Sequence, residues 1–252
     1  AQEAPPPAAP TPTPGEAGAR PGLFAVGPFW VTPRLRLGTL GVDTNVFYTA
    51  TDRRTDFVAS GGPGLEVALP GRPLRLDLSG WLDYLYFAQT ASQRRLTGEA
   101  RARLGLTAQR LRAGLEQGYR ERFDRPSAEV DERVPRHEWG TRADLDLDLG
   151  ARFGLRTQLG SEHSDVEGQP EFGGAQLDAA LTRRTRRGLL GLSYKATSKT
   201  ALLAEGELQE DRFPAEPARD TRGQRLAAGF GLESSTRLEA RLLLGRRWLR
   251  PL

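Results

Sequence analysis

From Leu74 to Tyr86 every second residue is apolar or glycine (Leu74, Leu76, Leu78, Gly80, Leu82, Tyr84, Tyr86), and between them stand Arg75, Asp77, Ser79, Trp81, Asp83 and Leu85. The alternation resumes with Leu96, Gly98, Ala100, Ala102, Leu104 and Leu106 against Arg95, Thr97, Glu99, Arg101, Arg103 and Thr107. It appears again with Leu111, Ala113, Leu115, Gln117 and Tyr119 against Arg112, Gly114, Glu116, Gly118 and Arg120. A sustained period of two marks a β-strand with two unlike faces. Strands of soluble proteins usually have about five or six residues, whereas one that crosses a bilayer needs about 9–11. The length of these segments predicts membrane-spanning strands.

The same rule extends along the chain. A first strand from Trp30 to about Val42 sets Val31, Leu35 and Leu37 against Thr32, Arg34 and Arg36; Leu40 and Val42 have changed phase, which predicts a β-bulge between Gly38 and Gly41. Phe57, Ala59, Leu65, Val67 and Leu69 oppose Ser60, Gly62, Gly64 and Glu66. Trp139, Ala143, Leu145, Leu147 and Leu149 oppose Arg142, Asp144, Asp146 and Asp148, and Phe153, Leu155 and Leu159 oppose Arg156, Gln158 and Glu162. Later segments set Leu190, Leu192 and Tyr194 against Lys195, Leu202, Ala204 and Leu208 against Glu205 and Glu207, Leu226 to Leu232 against Arg225, and Leu238 to Leu244 against Arg237, Glu239 and Arg241. About eleven strands are expected on this criterion.

The connections alternate in length. Short turns are expected at Pro70 to Pro73, Ala108 to Arg110, Gly150 to Arg152, Ser198 to Thr200 and Ser234 to Ser235. Longer polar links are expected at Tyr48 to Thr55, Ala88 to Arg94, Asp124 to His137, Asp165 to about Thr182, and Pro214 to Gly223. Short turns at one end and long loops at the other are the layout of an outer-membrane barrel.

Composition agrees. The 252 residues carry 36 basic and 32 acidic side chains, interleaved rather than in blocks, so the net charge of +4 does not point to nucleic acid. There is no cysteine, so neither a disulfide nor a thiolate site can form. No run of apolar residues is long enough for a membrane-spanning helix. Residues 1–28, rich in Ala and Pro, are expected to form a disordered mature N-terminus left by a cleaved signal peptide, and 29–252 the barrel.

Across these strands the apolar phase carries essentially no charge; in a soluble protein the charged phase would face water and the Leu/Ala/Gly phase would need a second layer to cover it. No amphipathic helix is available for that. Closing the sheet turns the apolar phase to lipid and removes the edges that lipid cannot satisfy. The expectation is an all-β, antiparallel, up-and-down transmembrane β-barrel in the outer membrane of a Gram-negative bacterium. Its lumen would be lined by Arg75, Asp77, Asp83, Glu99, Arg101, Arg103, Arg112, Glu116, Arg120, Arg142, Asp144, Asp146, Asp148, Arg156, Glu205, Glu207, Arg237, Glu239 and Arg241. The partners would be outer-membrane lipid, lipopolysaccharide and the barrel-assembly machinery. The function would be a porin-like passive channel; the alternative is a non-conducting scaffold or a barrel for surface attachment.

Gly41-Val42-Asp43-Thr44-Asn45-Val46-Phe47, Asp56-Phe57 and Pro63-Gly64-Leu65 resemble the opening of the outer-membrane proteins grouped as β-barrel porin 2. Leu181 to Arg184 through Tyr194 to Thr200, Glu210 to Phe213, Arg219-Asp220 and Gly245 to Arg247 are similar to later parts of that family. The resemblance implies an outer-membrane barrel, in some relatives encoded near exopolysaccharide genes, which would tie the scaffold alternative to exopolysaccharide export and make exopolysaccharide a partner, and it supplies no catalytic residues. An odd strand count departs from the even number of bacterial single-chain barrels. A truncated chain or one uncounted strand is therefore expected.

Other chemistries find little support. His163 with Ser161 and Ser164 lacks an orienting third group, so no enzyme is expected. Asp144, Asp146 and Asp148 recur about 7 Å apart along a strand, too far for one cation, and face arginine ladders instead. Gly61, Gly62 and Gly64 lack the Lys-Ser/Thr of a phosphate loop and are expected to permit curvature or close packing. No cofactor or metal is implied. Trp30, Trp139 and Trp248, with Tyr84, Tyr86, Tyr119 and Phe123, fit an interface girdle, while Trp81 falls in the charged phase.

The two faces make opposite predictions. Leu76→Arg or Leu104→Arg should cost about 2–4 kcal/mol near the midplane, and Ser79→Arg or Thr97→Arg far less. Denaturant titration of the chain folded in vesicles checks the ranking, and the reverse order would invert the assignment of faces.

Overall fold

A computed structural model describes residues 22–47, 53–125, 133–168, 171–172, 175–176, 181–235 and 238–252. Its strands are β1 (Phe24–Val26), β2 (Phe29–Asp43), β3 (Asp56–Leu69), β4 (Leu74–Phe87), β5 (Arg95–Thr107), β6 (Leu111–Asp124) and β7 (Val134–Asp148). They continue with β8 (Phe153–Val166), β9 (Glu171–Phe172), β10 (Ala175–Gln176), β11 (Arg183–Lys195), β12 (Thr200–Arg212), β13 (Thr221–Ser235) and β14 (Leu238–Pro251). The two-residue strands β9 and β10 form a separate hairpin; all the others form one sheet in which each strand is antiparallel to the next in sequence.

The long strands have 13 to 15 residues. At about 3.3 Å per residue and a tilt of about 40°, that is roughly 33–38 Å of height, enough for a hydrocarbon layer of about 30 Å. Register joins like to like. Leu76 lies opposite Leu104, Leu104 opposite Leu115, and Leu155 opposite Leu192, while Asp77 lies opposite Arg103 and Glu116 opposite Arg142. A slip of one residue would put each charge on the apolar side, so the pattern itself selects the register.

The bulge expected in β2 is present as a register shift between Leu37 and Leu40. The Thr39 N–H donates to Ser60 Oγ at 2.8 Å, which satisfies an amide that the shift takes out of the ladder. Leu35, Leu37, Leu40 and Val42 consequently all lie on the exposed face, Leu37 at 84%.

Short connections at 70–73, 108–110, 149–152 and 196–199 alternate with long ones at 44–55, 88–94, 125–133, 167–182 and 213–220. Three predicted loops were too long, one of them because Asp165 and Val166 belong to β8, and Ser234 and Ser235, expected to turn, end β13. Asp124 and Val134 to His137 belong to β6 and β7, and Thr221 to Gly223 to β13. Their alternation of charged and bulky residues hid the ladder, which continues to Asp124↔Val134. The two-residue β9 and β10 lie inside the link expected at Asp165 to about Thr182, and in the main sheet the strand that periodicity did not count is β1, inside the expected N-terminal lead. Three residues are too few to show a period, and a turn at Gly27, with φ of 60°, separates it from β2. Residues 1–21 lie outside those described.

The sheet ends at β1 and β14, which are not paired with each other. Between those edges it curls, because residues of β3 through β11 line one common cavity of 1300 Å³. The charged phase is on the concave side and the apolar phase on the convex side. Fully buried apolar residues are few and sit at strand ends: Val46, Val58 and Phe87 in one cluster, Val134 and Val166 in another. A soluble protein of this length would gather its leucines into a core. Here Leu96, Leu104, Leu115, Leu190, Leu202, Leu208, Leu226 and Leu244 all stand exposed.

One expectation fails on the convex side. The apolar phase was expected to be free of charge, yet register carries Arg184, Arg186, Glu210, Arg212, Arg222, Arg246 and Arg250 onto it in β11 to β14. These positions extend beyond the alternating leucines on which the face was first identified.

Candidate functional site

The concave face is built from cross-strand ion pairs. Arg34 of β2 meets Glu66 of β3 at 2.8 Å, and Arg36 reaches across to Asp83 of β4 and to Glu99 of β5 at 3.6 Å. Glu99 also receives Arg120 of β6 at 3.3 Å. Glu116 of β6 lies between Arg101, at 3.8 Å, and Arg103, at 3.4 Å, and Arg103 extends to Asp144 of β7 at 3.6 Å. Arg156 of β8 pairs with Asp146 at 2.8 Å. Farther round, Glu207 takes Arg187 at 3.5 Å and Arg225 at 3.1 Å, and Glu205 takes Arg225 and Arg241.

The expected lumen residues fall on this face. Glu99, Arg101, Arg103, Glu116, Arg120, Arg142, Asp144, Asp146 and Arg156 line the large cavity. Arg112, Asp148, Glu205 and Arg241 line a second cavity of 340 Å³ near the short-turn end, together with Lys195 and Lys199. Arg75 and Asp77 pair with each other at 2.7 Å within β4, away from the rest. Arg237 and the side chain of Glu239 lie outside the described residues. Most of these side chains are a quarter to a half exposed, so each pair is worth about 0–1 kcal/mol. The ladder, not the ion pairs, holds the sheet; the pairs keep the concave surface charged, wet and nearly neutral.

Trp81, unexplained by its phase alone, packs over Gly64, where an added Cβ would meet the ring at 2.4 Å. The Arg36 guanidinium covers the ring at 4.6 Å from its centre while holding Asp83. The expected role of Gly64 in close packing is thus specific: it makes room for an indole on the charged side.

The long-loop end is partly covered. Val46, Val58 and Phe87 pack together with Phe47 and Leu85, and Phe87 is 0% exposed. Arg133, from the link before β7, places its guanidinium 5.0 Å from the Phe87 ring centre and 3.5 Å from Asp43 at the end of β2. This contact crosses the mouth between links far apart in sequence. Buried Asp56 accepts the backbone N–H of Gln89 at 3.0 Å and of Thr90 at 2.6 Å, tying link 88–94 to β3. Asp220 holds the N–H of Phe213 at 2.7 Å in link 213–220, and both Phe213 and Arg219 of that link border the large cavity. Neither Asp56, the first residue of β3, nor Asp220, in link 213–220, is distinguishable in sequence from other carboxylates, because their role depends on which backbone amides fold back toward them.

His163 lies on the convex side, edge-on to Trp139 with ring centres 4.5 Å apart. His137, also there, accepts or donates at 2.9 Å to the Tyr119 hydroxyl and stacks on its ring. Trp139, Tyr119, Tyr84 and Tyr86 are all outward and in the half of their strands nearer the long loops; Phe153 and Tyr194, 4.9 Å apart, mark the short-turn end. Tyr84, Tyr86, Tyr119 and Trp139 thus stand where a girdle was expected, but Trp30 does not, because its register opposite Ala68 puts it in the concave phase with Arg34 and Arg36.

No family model matches the chain, and no curated protein does; the β-barrel porin 2 resemblance therefore has no matched model behind it. Among solved structures, the chain is similar to the loop L8 deletion mutant of OmpT, an outer membrane protein of Vibrio cholerae. They share 10% identity over 88% of this chain and 97% of that one, with a TM-score of 0.44. In-vitro folded OmpT in its trimer form gives 12% identity, 87% and 86% coverage and a TM-score of 0.43. The copper transporter OprC gives 9%, 82% and 48%, and 0.43. Likeness at this level establishes no shared activity.

The mouth yields a prediction. Asp56→Ala leaves the Gln89 and Thr90 amides without their acceptor, so it should lower stability by about 1–3 kcal/mol. Hydrogen exchange should show those two amides losing protection while mid-strand amides such as Leu78 keep theirs.

Proposed function

We propose that this chain is an outer-membrane β-barrel acting as a porin-like passive channel with a charge-lined lumen. The observation that carries the reading is the segregation of the two phases: an exposed apolar convex surface around a concave cavity of 1300 Å³ edged by both arginines and carboxylates. Water cannot accommodate the first at reasonable cost, since apolar surface costs about 25 cal/mol per Å² when exposed, and lipid cannot accommodate the second. A bilayer satisfies both. Because each arginine row has a carboxylate within reach, the lumen should show no strong preference between anions and cations.

The mouth contacts favour a second reading. Arg133, Asp43 and the Phe87 cluster narrow the long-loop end, and a non-conducting scaffold, such as one associated with exopolysaccharide export, would need no opening there.

Single-channel recording in planar bilayers, on the full gene product extracted from outer membranes, separates the two. Discrete conductance steps are expected, and Arg101→Gln with Arg103→Gln should shift them toward cation preference. Silence from a preparation shown to be folded would overturn the channel and leave the scaffold.

A further inference from the structure

The convex charges are not scattered. Among the outward-phase positions of β2 to β5 there is no arginine or lysine at all, whereas β11 to β14 carry six arginines there. Arg184 lies directly opposite Arg212, and Arg186, Glu210, Arg222 and Arg250 follow one another across four adjacent strands in a single row. All six arginines are exposed. The row is at the long-loop end of each strand, next to link 213–220. Glu210 is held by Arg212 and, at 3.0 Å, by Arg222. Among the described residues, no carboxylate lies within ion-pair distance of Arg184, Arg186 or Arg250. Arg246, farther down β14, bends its guanidinium over the Trp248 ring at 5.4 Å, toward the same level.

Below the arginines the face turns apolar. Leu190, Leu208, Leu226 and Leu244 continue the same four strands toward the short-turn end, all exposed. Going down, the surface therefore offers a band of guanidinium groups, an indole, and then a leucine wall. Guanidinium forks match phosphate oxygens in geometry and charge, and arginines held at a membrane surface attract anionic headgroups. A ligand complementary to the whole surface carries phosphate on a headgroup and several acyl chains beneath it.

We propose that the convex side of β11 to β14 is a binding site for a phosphorylated, multiply acylated glycolipid of the outer leaflet, with Arg184, Arg186, Arg212, Arg222 and Arg250 holding its phosphates. The inference rests on the outer-membrane reading, with the long loops outside. It assigns a specific lipid contact to one third of the circumference and none to the leucine-only face of β2 to β5.

The test uses the full chain in detergent micelles, titrated with diphosphoryl lipid A, its dephosphorylated form, or phosphatidylglycerol and followed by native mass spectrometry. Arg184→Gln, Arg186→Gln and Arg250→Gln are combined in one variant that breaks no ion pair; Arg101→Gln with Arg103→Gln removes cationic charge from the concave face instead. Heat-modifiable mobility and insertion into phosphatidylcholine vesicles report folding for each. The wild type should prefer diphosphoryl lipid A, the convex variant should lose at least about tenfold in affinity, and the concave variant should bind as the wild type does. Equal binding by the convex variant, equal loss in both variants, or equal binding of dephosphorylated lipid or phosphatidylglycerol would overturn the site. Self-association of the chain, abolished in the convex variant without any lipid preference, would assign the surface to a second copy and overturn it too. A wild type that fails to insert into vesicles would remove the barrel reading itself, an outcome distinct from an inserted chain indifferent to phosphate.

Discussion

Hydrocarbon offers no hydrogen-bond partner, so a backbone amide at membrane depth has to find one on another strand. Between the sheet's two edges the antiparallel ladder from β2 to β14 meets that requirement along most of its run; β6, for example, pairs with β7 from Leu111↔Leu147 to Asp124↔Val134. Everything else follows from the ladder. Once it fixes the register, the period of two sends alternate residues to opposite faces, and curling places one of those faces inside. Even the exception obeys the rule: where β2 shifts at Thr39, the released amide finds the Ser60 hydroxyl.

The ion pairs are subordinate to this scaffold but decide what the inside can do. Held half in water, they add little to stability, and a lumen filled with leucines would be at least as stable. Such a lumen would be dry. The rows running from Arg36 through Glu99 and Arg120, and from Arg103 through Glu116 and Asp144, keep the concave surface hydrated without leaving a large field of either sign. Trp81 interrupts the polar surface where a facing glycine, Gly64, leaves it room.

The sequence disclosed the faces, the strand count to within one, and the alternation of turns and loops, because each depends only on neighbours along the chain. What it concealed depends on neighbours across space. Periodicity began the strand at Phe57 and could not place Asp56 under the amides of Gln89 and Thr90, nor bring Arg133 to Phe87 and Asp43. The arginines at 184 and 186 were concealed for a different reason. They sit in the same phase as Leu190 and Leu192, but four consecutive residues, Arg183, Arg184, Thr185 and Arg186, show no contrast between phases, and only the register opposite Arg212 and Glu210 places them outside.

The ladder also governs the sheet's two ends. Strands alternate in direction, so β2 and β14 point the same way and β1 points against both. An antiparallel seam would set β14 against β1. But β1 offers Phe24–Val26, near the short-turn end, whereas the free edge of β14 runs from Leu238 to Pro251. A seam made by these described strands alone would therefore be antiparallel for a few residues and then parallel, β14 against β2, where hydrogen bonds are slanted and slightly weaker. On its concave side β14 would bring Arg241, Leu243, Gly245, Arg247 and Leu249 to such a seam, so arginine alternates there with small or apolar residues. A seam of that kind would adjoin the arginine-bearing strands, so a lipid held on their outer surface would brace it.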